Sequence, residues 1–407
     1  MSLANLFLPC AGGVEEYLLA ETRRIGGEGA QAVRGGVQLR ADWTDVMRLN
    51  LRSRLAQRVL IQLAKRGYRG EDDLYEAASG VAWETWFTPR QTFKVEVTAQ
   101  MSPLKSLNFA ALRIKDGLVD RFRGRGGVRP DVETRHPDVR VFAHLTADTV
   151  TLYIDTSGEP LFKRGWREDK GEAPLKETLA AAIIAASGWD ASLPLYDPCC
   201  GSGTIVIEAA QIACGIAPGL LRRFGFERLA ASVPRDWQRL KEEAQAERNV
   251  VPVEVHGSDV AFRMVDFAQR NAHRAGVGDV VKLRGGDALQ RMPPTSEPGV
   301  MLLNPPYGER IEAGGVAGAG RVGRVGRMGR ETAQSDAAAG DFFAQLAAHW
   351  KKHYAGWTAW MLSPDLKLPT RMRLKESRRV PMWNGPIECR LFRFDMVKGS
   401  ARASAGA

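Results

Sequence analysis

No Cys-x-x-Cys pair occurs among the five cysteines of this 407-residue chain, Cys10, Cys199, Cys200, Cys214 and Cys389. That spacing argues against a zinc ribbon and against a disulfide scaffold, so a reduced compartment is expected. Long apolar runs are missing too. The longest, residues 179–186, falls far short of the ~20 residues a membrane-spanning helix needs. The opening MSLANLFLPCAGG has neither a basic n-region nor a sustained apolar core, so no secretory signal is expected and the cytoplasm is the expected location. Nor is the composition that of a disordered or fibrous chain, at 44% apolar and 26% charged. The length suits two or three domains of about 150 residues each. Acidic charge is in deficit, 47 Asp+Glu against 57 Lys+Arg, a net charge of +10. That excess suits an anionic partner such as nucleic acid, and equally suits ordinary basic solubility.

Strand-like and helix-like periods mix over the first 160 residues. In 92–100, Phe93, Val95 and Val97 alternate with Lys94 and Glu96, as Val150, Leu152 and Ile154 do with Thr151, Tyr153 and Asp155. That two-residue period predicts half-buried strands. Between them Ala111, Ile114, Leu118 and Phe122 recur at helical spacing, while residues 124–138, rich in Arg, Gly and Pro, read as a loop. These elements predict a small α+β domain. Past residue 161, short apolar strands alternate with helices. A helix over 174–187 is expected to open near Pro174 and end at Gly188. A strand at 193–196, a Gly-rich turn at 197–204 and a helix at 205–214 follow. Further strands are expected at 253–256, 280–283, 300–303 and 358–362, helical segments around 218–246, and a hairpin at Asn384-Gly385. This alternation predicts an α/β, mostly parallel, doubly wound sheet. Residues 313–340 are of low complexity, with Arg321, Arg324, Arg327 and Arg330 among small residues. They predict a mobile loop, either a nucleic-acid tether or an incidental insertion. Residues 399–407 read as a disordered tail.

The segment Asp197-Pro198-Cys199-Cys200-Gly201-Ser202-Gly203-Thr204 lies between a predicted strand and a predicted helix. Gly201 and Gly203 permit a tight turn and a close ligand, and the helix start offers free N–H groups. A lone G-x-G is weak evidence, but the third glycine of the dinucleotide fingerprint is absent. Asp197 would repel a pyrophosphate and attract the ammonium of an amino acid. The next strand leads to Gly257-Ser258-Asp259, where an acid can accept from ribose hydroxyls, and the third to Gly286-Asp287-Ala288, where Asp287 can accept from an adenine amine. Either acid alone would serve equally as a turn or cap residue. Three acids after three successive strands point to a ribonucleoside carrying an amino acid, S-adenosyl-L-methionine. The fourth strand runs into Asn304-Pro305-Pro306-Tyr307-Gly308. Two prolines stiffen that turn and remove N–H donors. The Asn304 side-chain oxygen and the Pro305 carbonyl can then accept both hydrogens of a planar amine, while Tyr307 offers a ring for a base. Direct methyl transfer to such an amine needs no metal and no covalent intermediate, which leaves Cys199 and Cys200 out of the chemistry.

DPCCGSGT together with NPPYG resembles the class I S-adenosylmethionine-dependent methyltransferases that act on amines of nucleic-acid bases. With residues 5–7 (NLF), 12–16 (GGVEE), 34–37 (RGGV), 161–167 (LFKRGWR) and 173–182 (APLKETLAAA), the resemblance covers nearly the whole chain. It is similar to the bacterial 23S rRNA guanine-N2 methyltransferase family. The resemblance implies a ferredoxin-like portion at 1–45, a THUMP RNA-binding domain at 46–158 and a Rossmann-like class I methyltransferase domain at 159–398, without a second fused methyltransferase domain. It implies that Asp197, Cys199, Gly201, Ser202, Gly203, Thr204, Ser258 and Ala288 bind the cofactor, with Asp259 and Asp287 reading its ribose and adenine. Pro174, Leu175 and Thr178 would close over the methionine end, and Asn304, Pro305, Pro306 and Tyr307 would form the catalytic loop. Cys200 and the Arg/Gly insertion depart from the family pattern. The implied substrate is a guanosine N2 amine in 23S rRNA; the residues leave the oligomeric state open, with a monomer favoured. Guanine-N2 methylation of tRNA and adenine-N6 methylation of nucleic acid use the same kind of loop, and the THUMP-like N-terminus favours RNA. An RNA-binding ribosome assembly factor with an idle catalytic domain is the non-enzymatic alternative, and the intact Asp197, Asp259 and NPPY argue against it.

Overall fold

The computed structural model describes residues 3–171, 174–249, 253–305 and 332–397. Two compact units divide them, one of Met1–Cys10, Leu18–Arg164 and Ala217–Ala246, the other of Ala11–Tyr17, Gly165–Ile216 and Glu247–Ala407. The first unit holds a seven-stranded sheet of β1 (Ala4–Pro9), β2 (Gln31–Val33), β3 (Gly36–Ala41), β4 (Leu60–Gly67), β5 (Phe93–Ala99), β6 (Val139–Leu145) and β7 (Thr149–Asp155). Its order is β2-β3-β1-β4-β7-β6-β5, antiparallel throughout except for β5 beside β6. Helices α1 (Glu15–Ile25), α2 (Trp43–Arg52), α3 (Glu71–Ser79) and α4 (Leu107–Gly126) interleave with these strands. Local chemistry sets several of their ends. Asp42 caps α2 by accepting from the Asp45 amide at 2.9 Å, and Ser106 caps α4 by accepting from Phe109 at 3.2 Å. The loop expected from residue 124 starts later, because α4 runs on through Gly126. The strand with apolar Val150, Leu152 and Ile154 does form, but it is buried on both faces from Val150 to Asp155. It lies between β4 and β6, and its polar row is drawn into contacts such as the buried Arg58–Asp155 ion pair.

The second unit is the doubly wound sheet. Its helices are α5 (Glu177–Ser187), α6 (Thr204–Ala213), α8 (Phe262–Arg274), α9 (Thr332–His353) and α10 (Leu368–Met372), with α7 (Pro234–Ala246) falling in the first unit. Its strands are β8 (Leu195–Asp197), β9 (Val255–Asp259), β10 (Val281–Gly285), β11 (Val300–Leu303), β12 (Thr358–Ser363), β13 (Arg378–Asn384) and β14 (Ile387–Asp395). The order is β10-β9-β8-β11-β12-β14-β13, parallel from β10 to β12, with β14 antiparallel to both its neighbours. The hairpin turns at Asn384-Gly385 as the sequence predicts, Asn384 pairing with Ile387. Tyr196, Met301, Leu303, Trp350, Met361 and Phe392 share one apolar cluster. From β8 the chain passes to β9 on one side, whereas β11 lies on the other, so the strand order reverses between β8 and β11. In open α/β sheets ligands bind at the carboxyl ends of the strands flanking such a reversal.

Three expectations need correction. The helix expected from Pro174 begins at Glu177, because Pro174 is exposed and Lys176 is in an extended conformation. The low-complexity loop expected over 313–340 gives way to α9 at Thr332, where Gly and Arg yield to the helix-forming Ala of TAQSDAAAG. The rest of that loop, like the tail at 399–407, falls outside the described residues. The helical segment expected around 218–246 does form α7, but Ala217–Ala246 clusters with the first unit. Within that unit Phe226 meets Trp43 at 6.3 Å and Trp237 at 5.0 Å, edge to face.

Candidate active site

Asp197 closes β8, and the chain turns through Cys199–Gly203 into α6. Gly201 and Gly203 take positive φ, 53° and 90°, which glycine adopts without strain. Their surroundings differ. A Cβ on Gly201 would meet nothing within 4 Å, whereas one on Gly203 would lie 3.0 Å from the Ala268 Cβ of α8. Gly203 therefore lets α6 pack closely, and Gly201 leaves a face of the turn open to a ligand. Asp259, at the end of β9, ties the turn in place. One of its carboxylate oxygens accepts from the Gly201 amide and the other from the Ala261 amide, each at 2.9 Å. The Cys200 amide donates to the Ser258 carbonyl at 2.9 Å, and the Gly286 amide to the Asp259 carbonyl at 3.0 Å. The ends of β8, β9 and β10 are thus linked by backbone groups.

Burial dominates the electrostatics. Asp197 is 2% exposed and accepts from the Cys199 amide at 3.0 Å. Desolvation, with a smaller push from the Asp259 carboxylate, raises its pKa to about 8. Asp259 is raised as well, again chiefly by burial. The Cys199 thiol is pushed well above its ordinary value, first by burial and then by Asp197, Asp259 and Asp287. Three carboxylates are therefore close enough to act on one thiol. A proton-retaining Asp197 beside further acids is a site prepared for a cation. The raised thiols keep Cys199 and Cys200 protonated, in keeping with no nucleophilic role.

Other predicted residues have different duties. The Ser202 and Thr204 hydroxyls accept from Arg167, at 2.8 and 2.7 Å, and that guanidinium also pairs with Glu177 at 2.7 Å and reaches the Leu175 carbonyl at 3.4 Å. Leu175 and Thr178 are buried. One arginine thus joins the turn to the start of α5 and to the segment before it. Within LFKRGWR its side chain carried no separate sequence signal. Ser258 places its hydroxyl against the Tyr196 hydroxyl at 2.6 Å, on the sheet face opposite Asp259, so only its carbonyl meets the turn. The reason is the two-residue alternation of β9, which runs three residues past the expected end at 256. Asp287 accepts from the Leu289 amide at 2.9 Å, while Ala288 is 6% exposed inside the apolar cluster. Sequence reasoning also missed Phe262. Its ring is 77% exposed and lies against Gly285, where a Cβ would come within 2.4 Å of the ring edge.

Asn304 and Pro305 follow β11, the strand beside β8. Pro305 is buried, and the Asn304 side-chain oxygen is buried with no hydrogen-bond partner among the described residues. Pro306 and Tyr307 lie outside the described residues. An unpaired buried acceptor, a buried acid and an open glycine face at one reversal point fit a cationic nucleoside cofactor and an amine-bearing substrate.

Comparison with known proteins agrees. Family profiles described as an RlmL ferredoxin-like domain, a THUMP domain and an RMKL-like methyltransferase domain match residues 5–60, 68–155 and 164–318. The first runs past the boundary at 45 that the sequence suggests. The ribosomal RNA large subunit methyltransferase K/L of Psychromonas ingrahamii is 38% identical over 393 residues, which are 95% of this chain and 49% of the relative. The chain spans about half the length of the curated relatives it matches. Among solved structures, SMU.472 complexed with SAH superposes with a TM-score of 0.83 at 27% identity, covering 98% of this chain and all of that one. A structure described as a predicted N6-adenine-specific DNA methylase from Listeria monocytogenes gives 0.82 at 28% identity, covering 96% of each chain. Among the described residues no helix is long and apolar enough to cross a membrane. All three domain types are matched in order along the chain, which thus carries an RlmL ferredoxin-like domain, a THUMP domain and an RMKL-like methyltransferase domain.

Proposed function

We propose that this chain is an S-adenosyl-L-methionine-dependent methyltransferase acting on the exocyclic N2 amine of a guanosine in 23S rRNA, as a cytoplasmic monomer. The single observation that carries the reading is the Asn304 side-chain oxygen, buried and unbonded among the described residues, just past the strand beside the one ending in Asp197. The cofactor, when bound, supplies an electrophilic sulfonium methyl. Asp197 faces its ammonium, Gly201 leaves room for its backbone approach, Asp259 and Asp287 accept from ribose and adenine, and Phe262 offers a ring to the adenine. Cys199, Ser202, Gly203 and Thr204 shape the turn, with Pro174, Leu175 and Thr178 over the methionine end. Asn304 and the Pro305 carbonyl accept the two N2 hydrogens, which turns the nitrogen lone pair toward the methyl. The amine so held would give up a proton once methylated. Pro306 and Tyr307 complete the loop, Tyr307 by stacking on the base. Residues 1–45 and 46–158 serve as ferredoxin-like and THUMP portions that hold RNA, ahead of the methyltransferase domain at 159–398.

The shared K/L name of the curated relatives supports ribosomal RNA over tRNA. The DNA methylase description of one structural relative keeps adenine-N6 methylation as the second reading. Mass spectrometry of rRNA and tRNA nucleosides from cells with and without this protein separates them. Loss of N2-methylguanosine from 23S rRNA is expected. Loss of N6-methyladenosine, or of a tRNA methyl alone, would replace the reading.

A further inference from the structure

Doubly wound sheets cover both faces with helices, yet the connection from β10 to β11, residues 286–299, contains no helix. One face of β9 and β10 is left open there and forms a cavity of about 310 Å³ beneath residues 290–294. The register shows which side chains line it. Tyr196 pairs with His256, His256 with Lys282, and Ser258 with Arg284, so these five share one face. Asp197, Gly257, Asp259 and Leu283 occupy the other. Arg291 joins from the overlying loop, its side chain lying along the Gly286 backbone.

Three features make this a built site. Its charge is positive: Lys282, Arg284 and Arg291 line it, and Glu254 pairs with Lys282 and His256. Neither Arg284 nor Arg291 has a carboxylate partner among the described residues. Its roof is pinned, because the Arg291 carbonyl accepts from His349 Nε2 at 2.7 Å and from the Tyr354 hydroxyl at 2.8 Å. Its floor is polar, formed by the hydrogen-bonded Tyr196 and Ser258 hydroxyls. Two guanidiniums lining one cavity with hydroxyl groups suit a phosphate group. The cavity also abuts the candidate site, since Gly285, next to Arg284, pairs with Asp259.

We propose that this cavity takes a backbone phosphate of the RNA substrate, near the modified nucleotide. The assignment rests on the RNA methyltransferase reading. The phosphate chemistry is shared with free phosphate and mononucleotides, and the test distinguishes them. Binding of a 23S rRNA transcript is measured by filter retention between 50 and 200 mM salt, for wild type, Arg284→Gln and Arg284→Gln/Arg291→Gln. Calorimetry with SAH on each protein verifies folding. The double variant is expected to bind the transcript about tenfold more weakly at 100 mM salt. Its slope of log K against log salt should be shallower by about 0.7–0.9, one phosphate's worth of released counterions. The single variant should fall between, with SAH affinity unchanged in both. Equal affinity and slope in all three proteins would overturn the assignment while leaving the methyltransferase reading intact. A wild type that neither binds nor methylates the transcript would remove both. Inorganic phosphate and guanosine monophosphate, titrated at constant ionic strength, are expected to bind only weakly and to compete with RNA. Tight mononucleotide binding that leaves RNA affinity unaltered would make the cavity a small-ligand site and sink the proposal.

Discussion

Asn304 leaves β11 with a buried amide oxygen that no donor among the described residues reaches. Such an acceptor costs about 1–3 kcal/mol while unpaired, and an incoming amine hydrogen relieves that cost. Asn304→Ala is therefore expected to keep SAH affinity within a few-fold. It should lower the rate of methyl transfer by about 100-fold or more, the scale of losing one positioned hydrogen-bonding group at a reacting centre. Calorimetry and single-turnover methylation of one preparation check both halves, and a fully active variant would remove Asn304 from the chemistry. Phe262 carries a second prediction at this scale. A large ring left 77% exposed against the end of β10 has a free face to offer a ligand. Base stacking is worth about 1–3 kcal/mol, so Phe262→Ala should weaken SAH binding about tenfold and Phe262→Trp should preserve it. Equal affinity in the alanine variant would leave the ring a surface residue.

At the scale of elements, the turn and α5 stand together through Arg167. Its side chain is 11% exposed, and that of Glu177 is 5% exposed. Removing one member of a buried pair strands the other, at about 3–5 kcal/mol. Arg167→Met is expected to destabilise the protein on that scale and to weaken SAH binding, because the Ser202 and Thr204 hydroxyls lose their donor. Arg167→Met/Glu177→Met should recover more than half of the lost stability in denaturant unfolding. Additive losses would mean that the two charges are not coupled. This pair also marks where sequence reading stopped. The central strands β8, β11 and β12 were legible because each holds a short apolar run beside turn residues, and Asp197 and Asn304 fell just past the ends of two of those runs. The start of α5 was not, since Pro174 carries a local signal while the observed start coincides with a contact to Arg167, ten residues upstream. The face taken by the Ser258 hydroxyl was not legible for a related reason. Gly257-Ser258-Asp259 does not look like strand, yet it pairs with Leu283, Arg284 and Gly285, and that pairing fixes which face each residue takes.

For the whole molecule, a net charge of +10 surrounds a site assembled from carboxylates, and stability should register that contrast. Folded Asp197 has a pKa of about 8 against an ordinary 3.8. Below pH 3.8 the folded and unfolded chains both hold the proton. Between there and pH 8 the unfolded chain has released it while the folded chain retains it, so rising pH takes stability from the folded state across that window. Asp197→Asn removes this loss and still offers an oxygen to the Cys199 amide. Without cofactor, the variant should unfold at the wild-type temperature near pH 4 and several degrees higher at pH 8. A bound ammonium favours the ionised carboxyl, so SAH binding to wild type should release a proton, visible as a calorimetric enthalpy that varies with the buffer's ionisation enthalpy. Ligand at 100 times its Kd adds about 2.7 kcal/mol of stability. The variant, with no charge for the ammonium, should gain much less at the same concentration, so SAH reverses the order of the two proteins at pH 8. Thermal unfolding at pH 4 and pH 8, with and without SAH, reads all four states. A variant no more stable than wild type at pH 8 without ligand would mean that Asp197 is already ionised there, and that the site does not wait on a cation to charge it.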